Sequence, residues 1–374
     1  MDIQIARSIR EVPDTTWDAL TDGNPFQSHA FLLAMEENAC VGPESGWYPA
    51  HILLREEGDL VAAASAYVKT HSMGEYVYDF SWARAAEQHG IPYYPKLVVA
   101  SPFSPVAGAR LHAKTAQARN ELAKRLPDIA KKLGCVGAHV LFLSSEERDS
   151  VIEHGAMIRE GFQYQWHNQD YQSFDDYLKN LRSRRRKEVR RERRAVAQAG
   201  IHVKALLGHE LTPDYVREIF RLYESTCQQY SWGRVYLNHA FFEQIVRTIP
   251  ENIVFFAAYR DEELIAGAFC LRDETKLFGR YWGSKEEIPN LHFETSLYAP
   301  IEWAIREGIQ TIEPGAGGEH KFPRGFLPTK TYSAHWHFHS GFHDALAEFC
   351  VREAHAVDQH IEHLLNEETP FQRK

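Results

Sequence analysis

The sequence lacks long apolar runs and is poor in cysteine. None of its apolar stretches approaches the roughly 20 residues that a membrane-spanning helix needs, so we expect no stable membrane insertion. The N-terminal stretch MDIQIARSIREVPDTTW has neither a long apolar core nor a cleavage-like site, which predicts that there is no signal peptide. Five cysteines lie far apart without any CxxC pair. This pattern favours reduced thiols in the cytoplasm over a disulfide framework.

The chain also lacks a net positive charge, since 42 Lys and Arg stand against 51 Asp and Glu. This balance argues against a general nucleic-acid binder, because binding through counterion release needs clustered basic residues. One such cluster does exist: the run RSRRRKEVRRERR at 182–194 holds nine basic residues among thirteen. The length of 374 residues suggests about two domains.

An internal sequence repeat indicates that the chain contains two similar halves. The stretch SHAFLLAMEE at 28–37 resembles NHAFFEQIVR at 238–247, and both have the apolar spacing of a helix. Further along, 51–83 resembles 254–284. Each of these longer segments reads as strand, charged turn, strand, polar turn and strand.

A predicted helix and a short apolar strand follow each of these meanders. The helices cover 115–133 and 293–307, and the strands cover 136–143 and 309–312. The repeated order predicts a mixed α/β (α+β) fold of two packed halves, in which helices flank mixed central sheets.

The glycine-rich stretch EPGAGGEHKFPRGF at 313–326 follows the last of these strands. A pyrophosphate-binding loop normally leads directly into a helix, whereas Pro323 and Gly325 oppose a helix at this point. The stretch is better interpreted as backbone that passes close to a ligand or turns sharply. A purely structural turn remains the alternative.

Four charged or titratable side chains in this stretch suggest chemistry. Glu319 and His320 could act as a general base for an attacking amine, since either can be tuned toward neutral pH. Lys321 and Arg324 could stabilise an oxyanion or hold a phosphate or carboxylate. The alternative is that all four are solvated loop residues.

The basic run belongs to a predicted helical segment with a partial apolar stripe at Phe174, Leu178, Leu181 and Val189. It predicts an anion-binding helix for the phosphates of tRNA, of a nucleotide-linked acceptor or of CoA. A solvated face is the alternative, since it is the usual fate of a charge run. The predicted phosphate-binding residues are Arg184, Arg185, Arg186, Lys187, Arg190 and Arg191.

The segment YYPKLVVASPFSPVAGARL at 93–111 occupies, in the first half, the place of the glycine-rich stretch in the second. Pro95, Pro102 and Pro105 keep it extended. Lys96 and its polar neighbours could line a cleft, and a rigid connection is the alternative.

The string HWHFHSGFH places His335, His337 and His339 at alternate positions, which would share one face of a strand. No neighbouring Cys or carboxylate completes a recognised ligand spacing, so we predict no metal site.

No serine lies in a GxSxG elbow, and Ser333 near His335 makes no recognisable triad. The sequence therefore predicts no covalent enzyme intermediate.

Four strings in this order resemble the FemAB-like family of peptidoglycan biosynthesis or recognition proteins, which are predicted N-acyltransferases of the GNAT superfamily. They are the segment at 93–111, the run from QWHN through the basic helix at 165–194, GAGGEHKFPRGFLP at 315–328, and TYSAHW at 331–336. The resemblance covers nearly the whole chain.

The resemblance implies two tandem GNAT-like domains. We place the N-terminal domain at 1–160, a C-terminal domain with the active site at 161–345, and a C-terminal helix or tail at 346–374. The proposed catalytic residues are Glu319, His320 and Lys321. The proposed substrate-binding residues are Gly315, Gly317, Gly318, Arg324, His335, Trp336, Lys96, Trp166 and His167.

The resemblance further implies transfer of an aminoacyl group from aminoacyl-tRNA to an amine, such as a cell-wall precursor, a peptide or a small metabolite. An acyl-CoA-dependent N-acyltransferase is the first alternative. A non-catalytic protein that binds cell-wall fragments or other anionic ligands is the second. We expect no cofactor beyond the co-substrate, and a cytoplasmic location.

Overall fold

The computed structural model describes residues 1–229 and 234–372. Contacts divide the chain into two compact units. The first comprises Met1–Phe162 and Lys330–His360, and the second comprises Gln163–Thr329 and Ile361–Lys374. The last two positions of the predicted tail, 373 and 374, lie outside the described residues.

The chain folds into strands and helices in mixed order. The strands are β1 (Asp2–Ala6), β2 (Trp47–Pro49), β3 (His51–Glu56), β4 (Asp59–Ala64), β5 (Ala66–Lys69), β6 (Lys96–Val99), β7 (His112–Ala113), β8 (Gly137–Leu143), β9 (Met157–His167), β10 (Ile201–Leu207), β11 (Ile253–Arg260), β12 (Glu263–Arg272), β13 (Lys276–Ser284), β14 (Thr311–Glu313) and β15 (Leu327–His337). The helices are α1 (Asp14–Asp18), α2 (His29–Glu37), α3 (Phe80–Gln88), α4 (Ala116–Lys132), α5 (Arg148–Ile152), α6 (Phe174–Asn180), α7 (Ser183–Gln198), α8 (Pro213–Gln229), α9 (His239–Thr248), α10 (Leu291–Phe293), α11 (Ala299–Glu307) and α12 (Ser340–His363). Among the helices that the structure describes, none combines the length and the apolar content that crossing a bilayer requires.

The first unit contains two groups of paired strands. One is ordered β1-β3-β4-β7, and the other is ordered β15-β8-β6-β5-β2. Strands β6 and β8 run parallel, while their other neighbours in this unit run antiparallel. Helix α4 buries Leu122, Leu126 and Ile129 in the same core as strand residues such as Val140, because these positions recur at helical spacing on one face.

The second unit is built on an antiparallel meander of β10, β11, β12 and β13. Strand β14 then pairs with β13 in parallel and with the end of β9 in antiparallel orientation. Helix α8 packs closely on β13 at Gly283, where an added Cβ would lie 2.0 Å from the carbonyl oxygen of Leu222. Any side chain at Gly283 would therefore separate the helix from the sheet.

The predicted repeat is present in both halves except for the third strand of the first half. Helices α2 and α9 begin at Ser28 and Asn238, whose side-chain oxygens accept from the backbone N–H three residues later, the usual role of an N-cap. The two helix-to-strand pairs that close the halves are α4 with β8 and α11 with β14.

The third strand predicted for the first half is wrong. Within the corresponding segment, Phe80–Gln88 forms helix α3, and β5 pairs with β6 instead. The preceding loop supplies Glu75 and Asp79 to the buried Lys96, so its side chains serve an ionic cluster rather than a sheet face.

The two compact units also interleave along the sequence, whereas the predicted domains at 1–160, 161–345 and 346–374 are contiguous. The physical reason is that Tyr332–His337 of β15 pair with β8 of the first unit. Phe342, Leu346 and Cys350 of α12 then pack with Trp82 and Tyr93 of the same unit.

Candidate functional site

The glycine-rich loop begins where β13 and β14 meet. Their parallel register ends at the pair Phe278 and Glu313, and the chain then turns through Pro314 and Gly315. An added Cβ on Gly279 would lie 3.2 Å from the Cα of Pro314, and one on Gly315 would lie 3.3 Å from the carbonyl oxygen of Gly279. The glycines here allow two backbones to approach closely.

Gly317 and Gly318 have φ angles of +68° and +87°, a left-handed conformation that favours glycine. A short 3₁₀ helix, Glu319–Arg324, follows at once and ends at Gly325. The sequence did not predict this helix. Its six residues make only about two turns, which is short enough to tolerate Pro323, because few of its N–H groups need a helical acceptor.

Lys321 lies on the inner side of this turn and is 5% exposed. Its Nζ donates to the carbonyl oxygen of Gly315 at 2.7 Å and lies 3.5 Å from that of Ala316. Burial and the nearby charge of Arg280 lower the pKa of Lys321 to about 8. Near neutral pH, this ammonium therefore holds the glycine loop and loses its proton more readily than an ordinary lysine.

His320 is half-buried beside two rings, with centroid distances of 5.6 Å to His292 and 5.4 Å to Phe293. Burial, together with Lys321 and Arg324, lowers the pKa of His320. Its Nε2 is buried without a hydrogen-bond partner among the described residues. The lowered pKa favours the neutral imidazole near neutral pH, and a neutral imidazole with an unpaired nitrogen is what a general base requires.

Arg324 closes the 3₁₀ turn and is held by four neighbours. Its Nη2 and Nε donate to the two carboxylate oxygens of Glu192 at 2.7 and 3.1 Å. Its Nε lies 2.7 Å from Tyr298 Oη, and its Nη1 donates to the carbonyl oxygen of His320 at 2.6 Å. The guanidinium also lies 3.6 Å from the Phe293 ring centroid. These contacts orient Arg324 within the protein and leave little of it for a ligand.

The other predicted residues of the second unit surround the loop less closely. Glu319 is exposed. Trp166 is fully buried next to Tyr177, and His167 pairs in register with Thr311 of β14. Trp166 and His167 thus belong to the strand that supports the start of the loop.

Lys96 belongs to the first unit, where it is fully buried. Its Nζ donates to Glu75 Oε2 at 2.8 Å, to Ser72 Oγ at 2.9 Å and to Asp79. The two carboxylates more than offset the desolvation and raise the pKa of Lys96. With all three donors engaged, this ammonium has a structural partner set of its own.

His335 and Trp336 also belong to the first unit. The Nδ1 atoms of His335 and His139 lie 2.7 Å apart, and Trp336 Nε1 donates to the carbonyl oxygen of His154 at 2.9 Å. Neither side chain joins the His320 cluster of the second unit. Within residues 1–229 and 234–372, no group of three or more His, Cys, Asp or Glu could hold a metal ion.

Helix α7 carries the basic run and displays it unevenly. Arg184 and Arg185 pair with Glu188, Arg190 pairs with Asp175 at 3.0 Å, and Arg186 donates to a backbone carbonyl. The exposed basic residues that follow the helical spacing of three and four form one stripe. We call this the α7 stripe; its members are Arg184, Lys187, Arg191 and Arg194.

The α7 stripe is only partly neutralised. No ion pair of Lys187, Arg191 or Arg194 occurs among the described residues. At 1.5 Å of rise per residue, the stripe extends about 15 Å along the helix. It can therefore contact several phosphates of one nucleic-acid strand.

Sequence reasoning missed four residues around the loop. Burial and the charges of His320, Lys321 and Arg324 lower the pKa of His292 to about 4. Arg280 acts on Lys321 from β13, at an irregularity in the pairing of β12 with β13. Glu192 and Tyr298 hold Arg324. Of these four residues only Glu192 lies in a motif, the basic run at 182–194, and only the fold brings all four to the loop.

Comparisons with known proteins agree on family and fold. The family model FemAB-like, described as peptidoglycan biosynthesis/recognition, matches residues 8–373. Among solved structures, the C-terminal domain of a putative lysylphosphatidylglycerol synthetase from Agrobacterium fabrum is 10% identical, with 94% of this chain and 98% of that chain covered and a TM-score of 0.55. FemX is 12% identical, with 93% and 100% covered and a TM-score of 0.53. L-PGS from Bacillus licheniformis is 9% identical, with 87% and 96% covered and a TM-score of 0.53.

A search of curated proteins returned no match. The structural similarities confirm the predicted fold class in its mixed α/β architecture, in which helices flank mixed sheets. Identities near 10% carry the fold and nothing finer. The family match confirms the resemblance that the four sequence strings suggested.

Proposed function

We propose, from the premise that this chain belongs to the FemAB-like family, that it is an N-acyltransferase whose active site is the glycine loop of the second unit. The proposed reaction moves an aminoacyl group from aminoacyl-tRNA to an amine. The single observation that carries the proposal is the half-buried His320 next to the buried Lys321, two side chains whose pKa values are both lowered. Perturbed neighbours of this kind are typical of functional sites.

His320 would act as the general base. As the acceptor nitrogen bonds to the carbonyl carbon of the donor ester, Nε2 takes one proton from that nitrogen. The bond between the carbonyl carbon and the ester oxygen then breaks, and the same proton passes to the departing oxygen. The nitrogen without a partner on His320 suits this role, because a base must reach its proton through an unoccupied lone pair.

Lys321 would stabilise the negative charge that develops on the carbonyl oxygen. Its ammonium has three donors, of which the contacts to Gly315 and Ala316 use at most two. A preorganised charge in a buried site stabilises an oxyanion far more than the same charge in water. Glu319 remains an alternative base at the exposed edge of the loop.

The α7 stripe supports a nucleic-acid donor. Three of its four basic side chains, Lys187, Arg191 and Arg194, have no ion pair among the described residues, on a chain whose net charge is −9, so the positive charge is local rather than general. One of the similar structures is a domain of a putative lysylphosphatidylglycerol synthetase, and another is FemX. A lysylated lipid is an aminoacylated product, which fits this donor class.

The acceptor would be an amine on a cell-wall precursor, a peptide or a small metabolite, in keeping with the family description. We place the reaction in the cytoplasm, where aminoacyl-tRNA is available. Acyl-CoA is the alternative donor, because its 3′-phosphate and diphosphate could occupy the same stripe.

The test supplies labelled aminoacyl-tRNA and acyl-CoA pools in parallel, with a panel of amines, and follows the label by mass spectrometry. We expect label to pass from aminoacyl-tRNA to an amide product, and RNase to abolish this transfer. His320→Gln should lower the rate about 10²- to 10⁴-fold, whereas the exposed His209→Gln should not. RNase-resistant transfer from acyl-CoA would select the alternative donor. Ligand binding without consumption of either donor would leave the non-catalytic binder.

A further inference from the structure

Helix α7 hides one acidic side chain on its buried face. Glu192 is 8% exposed, although it stands between Arg191 and Arg193 in the most basic part of the sequence. Val189 and Val196 flank it on the same face. A buried carboxylate is costly unless it is paired, so its partners indicate what it does.

Those partners belong to the candidate site. Glu192 receives two hydrogen bonds from Arg324 and one from the hydroxyl of Tyr298. Arg324 in turn donates to the carbonyl oxygen of His320. A paired guanidinium and carboxylate fix direction as well as distance, so this chain of contacts sets where the His320 backbone lies.

We propose that Glu192 is a positioning residue for the transfer reaction, acting through Arg324 on His320. This inference rests on the proposed function, because positioning matters only if His320 is the base. Glu192 also opposes the charge of Arg324 inside the site. The helix that displays the α7 stripe to solvent therefore anchors the catalytic loop from its other face.

The charge of Glu192 gives the proposal a measurable signature. The groups that face His320 are Lys321, Arg324 and His292, and the first two lower its pKa. Replacing Glu192 by glutamine removes the carboxylate that opposes Arg324. The imidazolium of His320 then becomes harder to form, and its pKa should fall further.

The experiment titrates His320 by NMR in protein with labelled histidine, with the signal identified through its loss in His320→Gln. Glu192→Gln should lower the pKa of His320 by about half a unit or more. Glu192→Asp, which keeps the charge, should retain most of the original value. Glu302→Gln is the matched control, because Glu302 pairs with Arg193 of the same helix and, within the described residues, makes no hydrogen bond or ion pair to the loop. An unchanged pKa in folded Glu192→Gln would overturn the proposal.

Kinetics supply the second readout. In Glu192→Gln, kcat should fall at least about tenfold while the KM for the amine stays the same, since the interaction acts on orientation rather than on binding. Should that variant not fold, Tyr298→Phe removes one hydrogen bond to the carboxylate and changes no charge. Its kcat should fall several-fold, and an unchanged kcat would refute the positioning role. Absence of any transfer by the wild-type protein would refute the proposed function, while the NMR titration would still decide whether Glu192 controls His320.

Discussion

Replacing Lys321 by methionine should stabilise the protein near neutral pH and abolish transfer. The ammonium is almost fully buried, and its pKa falls from 10.5 to about 8 on folding. Each unit of that fall corresponds to about 1.4 kcal/mol, so keeping the charge costs the folded state about 3 kcal/mol below pH 8. The lost hydrogen bond to Gly315 offsets about 1.5 kcal/mol of the gain, which leaves a net stabilisation of about 1–2 kcal/mol.

The pH dependence gives the sign of this effect. Because the folded pKa is the lower one, the protonated lysine destabilises the fold at low pH. Stability is recovered as pH rises from about 8 to 10.5, where the unfolded chain also loses the proton. The advantage of Lys321→Met should therefore be full below pH 8 and should fade over this window.

Thermal unfolding across this pH range measures the effect. A gain of this size should raise Tm by about 2–8 °C, at about 2–4 °C per kcal/mol for a unit of this size. Lys330→Met is the control of opposite sign, because hydrogen bonds to Asp358 and Glu160 raise the pKa of Lys330, so losing it should not stabilise. The reasoning would be refuted if Lys321→Met were less stable than wild type at pH 7. It would also be refuted if the variant exceeded the stability of wild type by the same amount at pH 7 and pH 10.

Two further predictions concern the α7 stripe and the glycine loop. Replacing Lys187 and Arg191 by alanine should weaken tRNA binding and reduce the slope of log K against log salt by about 2, as fluorescence anisotropy would show. Arg217→Ala on α8, whose arginine already pairs with an aspartate, should leave that slope unchanged, and an unchanged slope in the double variant would exclude the stripe from tRNA binding. Gly318→Ala should lower Tm and kcat, because the new Cβ lies 2.8 Å from the His320 ring at a positive φ, a strain of about 1–3 kcal/mol. Gly134→Ala has a similar φ but open space, so it should lower Tm only, and full activity of Gly318→Ala would contradict the proposed place of His320.

The repeated helix-and-meander order could be predicted because both helices carry their signals locally. Ser28 and Asn238 each begin a helix as N-caps, and the apolar spacing that follows defines the buried face. The prediction of a third strand in the first half was wrong for the opposite reason. The loop at this place provides carboxylates that pair with the buried Lys96. This is a tertiary contact, which no local sequence pattern predicts.

The glycine loop could be located from the sequence, because clustered glycines demand unusual backbone wherever they occur. The burial that lowers the pKa values of its residues could not be predicted from the sequence. Arg280 and Glu192 reach the loop from β13 and α7, far away along the chain, and each reads locally as an ordinary surface charge. The roles given to His320 and Lys321 remain predictions that the variants above would decide, and the role of Glu319 as an alternative base also remains a prediction.

The two glutamates of helix α7 have roles that the charge pattern of the sequence does not reveal. The number of basic residues predicts an anion-binding surface. In that interpretation Glu188 and Glu192 only interrupt the basic run. In the folded protein the two glutamates do different work: Glu188 pairs with exposed arginines of its own helix, whereas Glu192 pairs with Arg324 in the loop. A helix with only basic residues could bind the same phosphates, but it would leave Arg324 as a buried charge without a carboxylate, at a cost of several kcal/mol. The glutamate at 192 is therefore what allows one helix to present positive charge to solvent and still pack against a positively charged loop.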